Sequence, residues 1–135
     1  MVNEKEFSME FEVETGSSEI VDITSEVESR IDIEDGLCLV HVPHTTAGLV
    51  VNENEPRLLE DIESTLESLV PSGGHEHDKI DDNAAAHLKT MLLSSSVTLP
   101  VESGGLDLGT WQSVMLVESD GPRTRKIRLK TLTSR

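Results

Sequence analysis

The chain has 135 residues, a formal net charge of −15 and only three aromatic residues. A surface this acidic repels the phosphodiester backbone, and no segment approaches the ~20 consecutive apolar residues of a membrane span, so we expect neither nucleic acid nor a membrane as a partner. The length predicts a single domain, residues 1–135, with a core of Val, Leu and Ile.

The N-terminal residues predict a strand and then a helix. No stretch there joins basic residues to a long apolar run, so we expect no signal peptide. The segment EKEFSMEFEVE alternates and predicts a half-buried strand with the inward residues Phe7, Met9, Phe11 and Val13. Ser25 and Glu28 have capping-box spacing and predict a helix over residues 25–33.

Two strands are predicted on either side of Pro43, which bounds the first of them. The first, LCLVHV, contains the single cysteine, Cys38, and predicts a buried, inert thiol in a reducing cytoplasm. The second is AGLVVNE. His44, Thr45 and Thr46 interrupt the apolar pattern between them, which indicates either a hairpin crossing the surface or a polar site at a strand end.

Helical periodicity and then further strands follow. Asn54 is the predicted N-cap of a helix that holds Pro56 in its first turn and reaches about residue 69. A polar loop over 75–82 and a helix over about 82–92 come next. The segments SSVTLPVES, TWQSVMLVES and KIRLKTL are predicted strands. This hairpin-like succession favours an α+β class with a mostly antiparallel or mixed sheet and two or three helices.

Charge is divided unevenly along the chain. All 26 acidic residues precede residue 121, whereas six of the 11 basic residues fall in the last 15 positions. We therefore expect the basic C-terminal strand to lie near acidic surface of this chain or of a neighbouring copy. The same strand is also a candidate anion site.

The five histidines allow more than one chemistry. Taken singly, each is more often a surface residue than a ligand, and this interpretation is kept for His41 and His75. Zinc accepts three imidazoles and leaves a position open, while histidines can also act as acids and bases without a metal. Magnesium would prefer oxygen ligands, such as those of Glu53, Asp61 and Asp78.

The segment DGPRTR places two arginines directly after a turn. Residues two apart on a strand face the same way, so Arg123 and Arg125 can reach one pocket and grip a phosphate or carboxylate. Pairing with nearby acids is the competing interpretation. Residues 94–96, a run of three serines, offer further donors, although a helix end running into a strand is typical of such a segment.

Three stretches together resemble the YjbQ family of secondary thiamine-phosphate synthase enzymes. They are HTTAGLVVNENEP, HDKIDDNAAAHLK and SVTLPVESGGLDLGTWQSVMLVESDGPRTR. The resemblance implies one α+β domain with a sandwich-like fold and a homotrimer with sites near the subunit interfaces. Ser94 departs from the family pattern, which usually has glycine there.

The resemblance also implies roles for particular residues. The motifs point to catalytic roles for His44, Glu53, His77, Asn83 and His87. Substrate binding is implied for Thr45, Thr46, Trp111, Gln112, Asp120, Arg123 and Arg125. A divalent metal, zinc or alternatively magnesium, is implied at His44, His77 and His87.

The expected reaction joins a pyrimidine diphosphate to a thiazole phosphate and releases diphosphate. Because the family activity is described as secondary, another phosphorylated metabolite can be the true substrate. Two alternatives stay open at this point: a metal-dependent hydrolase that uses the three histidines, and a non-catalytic trimer that binds a phosphorylated metabolite.

Overall fold

The computed structural model describes residues 8–134, which form eight β-strands, three α-helices and one 3₁₀ helix. The strands are β1 Ser8–Thr15, β2 Glu19–Asp22, β3 Gly36–His41, β4 Ala47–Asn52, β5 Ser96–Glu102, β6 Gly105–Leu106, β7 Ser113–Glu118 and β8 Arg123–Thr133. The helices are α1 Thr24–Glu28, α2 Pro56–Leu69, the 3₁₀ helix Glu76–Lys79 and α3 Ala84–Met91.

The strands form two antiparallel sheets that enclose one core. The larger sheet has the order β1-β8-β3-β5-β6, and the smaller sheet has the order β2-β7-β4. Val40 and Ile127 from the larger sheet meet Leu49 and Leu116 from the smaller one, and all four are fully buried. The predicted α+β class with a sandwich-like arrangement is confirmed.

Alternation explains how the two longest strands pair. On β8 the residues Ile127 and Leu129 are buried, whereas Lys126 and Arg128 are exposed. The neighbouring β1 is acidic on the same outer face, so Arg128 Nε donates to the Glu10 carboxylate at 3.1 Å. The expected contact between basic strand and acidic surface is thus confirmed within one chain. Phe7 lies outside the described residues.

The first helix is shorter than predicted. α1 ends at Glu28 and not near residue 33, and no side chain at its first turn forms the expected capping box. Instead, Asp22 Oδ1 accepts the backbone N–H of Thr24 at 2.9 Å. The residues after the helix leave the helical path, and Ile31 and Ile33 pack against the core.

The second helix begins where its proline predicts, but its cap is a different residue. Glu55, not Asn54, is the N-cap, and its carboxylate accepts the Leu58 N–H at 2.8 Å. Asn54 donates to Asp22 across the loop at 2.9 Å. The Asn54 side chain is engaged with Asp22, and the Glu55 carboxylate caps the N–H three positions further along the chain.

Other boundaries also differ from the expected ones. β7 begins at Ser113, because Gln112 folds back and accepts the Gly109 N–H at 2.9 Å, which makes residues 109–112 a turn. The strand β2 was not predicted, and the polar loop over 75–82 contains the 3₁₀ helix. Within residues 8–134, no helix has both the length and the apolar character to cross a membrane.

The single cysteine behaves as predicted. Cys38 is completely buried in β3 and forms no disulfide. Burial, followed by the negative charge of Asp32, raises the pKa of its thiol to about 11. Because the thiolate is the reactive form, this thiol is inert near neutral pH.

Candidate functional site

Most of the predicted site residues line one open cleft at one end of the sandwich. The cleft has a volume of about 380 Å³ and lies among the β3–β4 loop, the start of α3 and the β7–β8 turn. Its lining residues are Pro43, His44, Thr45, Thr46, Asp81, Asn83, His87, Asp120, Arg123 and Arg125. Eight of them belong to the predicted set, and Pro43 and Asp81 do not.

The floor of the cleft is a buried ion pair. The Glu118 carboxylate accepts from Arg125 Nε at 2.7 Å and from Arg125 Nη2, and Nη2 also donates to Thr46 Oγ1 at 2.9 Å. The two charged side chains are 0% and 4% exposed, respectively. Thr46 therefore faces Arg125, and its hydroxyl serves the floor of the cleft.

Glu118 is the residue that sequence reasoning missed. It ends the strand SVMLVE after four apolar residues in a row, and this isolated carboxylate was the available signal. Burial alone would raise its pKa, but hydrogen bonds from Arg125, Thr15 and the Asp120 backbone outweigh burial and lower the pKa. The carboxylate therefore stays charged beside its arginine.

The second arginine is more exposed. Arg123 donates from Nε to the Asp120 carbonyl at 2.8 Å and from Nη2 to the Asp120 carboxylate at 3.1 Å. Its side chain remains 52% exposed. Both arginines line one cleft, as their spacing predicts, and each also pairs with an acid, while the grip on a phosphate or carboxylate stays a prediction.

A close backbone contact fixes the turn that carries these residues. A Cβ atom on Gly121 would lie 1.8 Å from the Gly16 carbonyl oxygen, so no larger residue fits there. The Gly121 N–H also donates to the Ser17 carbonyl at 3.0 Å. The β7–β8 turn is thus packed against the β1–β2 turn, and this packing fixes the backbone positions of Asp120 and Arg123.

His44 is a neutral hydrogen-bonding residue in this arrangement. Its Nε2 accepts the backbone N–H of Lys126 at 2.9 Å, so the proton of the neutral ring is on Nδ1. Burial, followed by the positive charge of Arg125, lowers the pKa of His44. At neutral pH its uncharged ring can donate a hydrogen bond from Nδ1.

A chain of hydrogen bonds joins the 3₁₀ helix to the β7–β8 turn. His77 Nε2 donates to Asn83 Oδ1 at 3.1 Å, and Asn83 Nδ2 donates to Asp120 at 3.1 Å. The His77 ring meets the His87 ring edge to face, with centroids 4.9 Å apart. Burial alone would raise the pKa of Asp120, but the bonds from Asn83 and Arg123 lower it.

The arrangement of the histidines does not form a metal-ligand shell. Imidazole suits zinc, and His77 and His87 are adjacent. However, no group of three or more His, Cys, Asp and Glu residues in the described part of the chain is placed to hold a metal ion. The side chains as they stand do not fit the metal that the resemblance implies, so zinc or magnesium stays a prediction that calorimetric titration would test.

Three predicted residues lie at the opposite end of the small sheet. Glu53 follows β4, and Trp111 and Gln112 precede β7. These two strands pair antiparallel from Ala47↔Glu118 to Asn52↔Ser113, so their ends are roughly 17 Å apart at ~3.4 Å per residue. Within this single chain, Trp111 therefore does not reach the cleft.

The remaining candidates serve local structure. His41 Nδ1 lies 3.2 Å from the Ser95 carbonyl, and His75 Nε2 lies 2.7 Å from the Pro71 carbonyl. Ser94 pairs with Leu49 through two backbone hydrogen bonds. The serine run therefore joins α3 to β5, and none of its residues lines the cleft.

Comparison with known proteins identifies relatives over most of the chain. Residues 9–134 match the model of the family described as UPF0047 protein YjbQ-like. A UPF0047 protein of Archaeoglobus fulgidus is 56% identical over 115 residues, which cover 84% of this chain and 91% of that protein. UPF0047 protein YugU of Bacillus subtilis is 40% identical over 123 residues, which cover 87% of this chain and 92% of that protein.

Solved structures show the same fold. A crystal structure of a YbjQ-like protein of unknown function from Sulfolobus solfataricus has a TM-score of 0.90 and 41% identity, covering 95% of this chain and 97% of that one. A hypothetical protein from Aeropyrum pernix has a TM-score of 0.89 and 42% identity, covering 94% and 98%. These relatives are described by family and structure rather than by a reaction.

Proposed function

The chain belongs to the YjbQ-like UPF0047 family, and on that premise we propose that its cleft binds a small phosphorylated metabolite and catalyses a reaction of the thiamine-phosphate synthase type. In this reaction a pyrimidine diphosphate is joined to a thiazole phosphate, and diphosphate is released. The observation that carries the proposal is the convergence of two arginines, two histidines and two threonines on one cleft.

The arginines supply the anion grip. Release of diphosphate leaves negative charge on its oxygens, and donors already aimed at that position stabilise the charge as it develops. Arg123 is accessible and Arg125 is fixed at the cleft floor, so one can follow the ligand while the other orients it. The exposed Thr45 hydroxyl adds a neutral donor.

Two histidines, His44 and His87, supply polar groups on other walls of the cleft. His44 acts as a neutral donor from Nδ1, because its Nε2 is occupied by the Lys126 N–H. His77 lies behind the cleft and donates from Nε2 to Asn83 Oδ1, and Asn83 in turn donates to Asp120 in the cleft wall.

The proposal includes a homotrimer, because one protomer separates Trp111 from the cleft. Trp111 is 72% exposed, which is unusual for the only tryptophan of a chain with so few aromatic residues. In a trimer, Trp111 from a second copy would offer the flat surface against which a pyrimidine or thiazole ring stacks. The site would then lie at a subunit interface.

The test is an assay of the purified protein with a pyrimidine diphosphate and a thiazole phosphate. Mass spectrometry should detect the joined product, with one diphosphate released per product, and Arg123→Ala should reduce the rate. Arg57→Ala is the matched control, because Arg57 is exposed on α2 and does not line the cleft. Release of phosphate without a joined product would indicate the hydrolase instead, and binding without turnover would indicate the metabolite-binding trimer.

A further inference from the structure

Glu118 is placed to orient a neighbour rather than to react. Its carboxylate accepts four hydrogen bonds: from Thr15 Oγ1 at 2.5 Å, from Arg125 Nε, from Arg125 Nη2 and from the Asp120 N–H at 2.9 Å. An ionised carboxylate offers about four lone-pair positions, so all of them are occupied. Its side chain is completely buried, so no ligand in the cleft touches it.

One guanidinium nitrogen of Arg125, Nη1, takes no part in these hydrogen bonds. Nε and Nη2 donate to Glu118 and Thr46, and Nη1 has no protein partner among residues 8–134. In the same residues, no buried side-chain nitrogen or oxygen lacks a hydrogen bond, so Nη1 keeps contact with open space. Arg125 lines the cleft, and the small exposed part of its side chain therefore includes this edge.

We propose that Glu118 is a positioning residue that aims the Nη1 edge of Arg125 at one anionic oxygen of the bound ligand. The inference rests on the anion-binding function proposed for the cleft. The two bonds to Glu118 fix the plane of the guanidinium, and the Thr46 hydroxyl holds Nη2 from the other side. The donor is in place before the ligand arrives, which removes part of the ordering cost of binding.

The two arginines then contribute to affinity in different ways. Arg123 is half exposed, so its attraction for an anion is screened by added salt. Arg125 is buried and its charge is balanced by Glu118, so it contributes a directed hydrogen bond that salt weakens less. Diphosphate affinity that persists at high salt should therefore depend on Arg125 and on Glu118.

The experiment is calorimetric titration of the full chain with inorganic diphosphate at low and high salt. Glu118→Asp keeps the charge but shortens the side chain, and a donor displaced by about 1 Å should raise the Kd by at least about tenfold. Thr46→Val removes the acceptor of Nη2 and should raise the Kd several-fold. Thr46→Ser keeps the hydroxyl and should weaken binding less than Thr46→Val does.

A second readout separates positioning from a merely structural role. Nitrogen NMR of the arginine side chains should show separate, slowly exchanging Nη signals for Arg125 in the wild type, and these should merge in Glu118→Asp. A variant that loses thermal stability while its Kd and its Nη signals stay as in the wild type would overturn the inference. If Glu118→Asp does not fold, the order of Thr46→Val and Thr46→Ser decides.

Failure of the broader proposal gives a different pattern. If wild-type protein binds diphosphate and Glu118→Asp binds it equally well, the anion site stands and the positioning role falls. If wild-type protein does not bind diphosphate although the Arg125 signals are resolved, the anion-binding function is wrong. The role proposed for Arg125 Nη1 as a donor to the ligand then falls as well.

Discussion

The two ends of β7 hold their polar residues in opposite ways. At the C-terminal end, Glu118 is buried and has four hydrogen bonds, and the turn that follows is locked against Gly16. At the N-terminal end, Trp111 is 72% exposed, and Gln112 bonds within its own turn. Preorganised donors at one end suit recognition of a small ligand by a single chain. An exposed ring at the other end suits contact with a second molecule.

Two segments of one sequence stretch are separated by this arrangement. GTWQ and DGPRTR together span only 17 residues, 109–125, and the resemblance assigns both to substrate binding. The six-residue strand between them carries the chain from one end of the sandwich to the other. Proximity in sequence therefore does not place these residues in one site of a single chain.

The largest effect on stability is expected at the C-terminal end of β7, where Glu118 is buried. Glu118→Ala leaves Arg125 buried without its counter-ion, so the free energy of unfolding should fall by about 3–5 kcal/mol. Urea denaturation measures the change. The double variant Glu118→Leu/Arg125→Met removes both charges and should recover most of the lost stability. A loss below about 1 kcal/mol for Glu118→Ala would mean that the two ends of β7 do not differ as described.

A smaller effect is expected for the accessible arginine of the same end. Arg123→Lys replaces a planar fork with a point charge, so diphosphate binding should weaken by ~1–3 kcal/mol. Because the pair with Asp120 is exposed, stability should change by less than ~1 kcal/mol. Calorimetry with Arg57→Lys as the matched control checks both values. Equal affinity in Arg123→Lys and the wild type would remove Arg123 from the anion site.

Acid should selectively reduce the stability that Glu118 and Asp120 contribute at the C-terminal end of β7. The pKa values of Glu118 and Asp120 are lowered in the folded protein from ordinary values of 4.5 and 3.8. Their stabilising contributions are therefore complete above those ordinary values and are lost as the pH falls through the lowered folded values. Stability measured against pH should fall in acid for the wild type and for Trp111→Ala. Glu118→Leu/Arg125→Met should show a shallower fall, and an identical fall would contradict the assignment to Glu118.

The smallest change in stability is expected at Trp111, beside the N-terminal end of β7. Trp111→Ala removes an exposed ring, so the free energy of unfolding of the protomer should change by less than ~1 kcal/mol. Product formation should nevertheless decrease if the ring serves the cleft of a second copy. Light scattering checks the trimer directly, and a monomer at micromolar concentration in both low and high salt would remove Trp111 from the site.

Local pattern was enough to predict much of the architecture. The alternation of Phe11 and Val13 with glutamates, and the leucine spacing of α2, reflect burial of one face, which a sequence records directly. The boundaries of α1 and the cap of α2 were predicted wrongly, because Asp22 and Glu55 compete as acceptors with Ser25 and Asn54 and bind the Thr24 and Leu58 N–H groups. Such competition depends on loop geometry and not on spacing alone.

The sequence by itself determined the α+β class, the buried Cys38 thiol and the shared orientation of Arg123 and Arg125, because each follows from residue type and periodicity. The resemblance of three sequence stretches indicated the family. Only the tertiary structure decided which residues meet. It paired Arg125 with Glu118 beneath the cleft, turned Thr46 toward that pair and placed Trp111 at the far end of β7. These contacts depend on how two sheets and a tight turn pack in three dimensions. Local sequence patterns do not show which residues that are distant in sequence will meet.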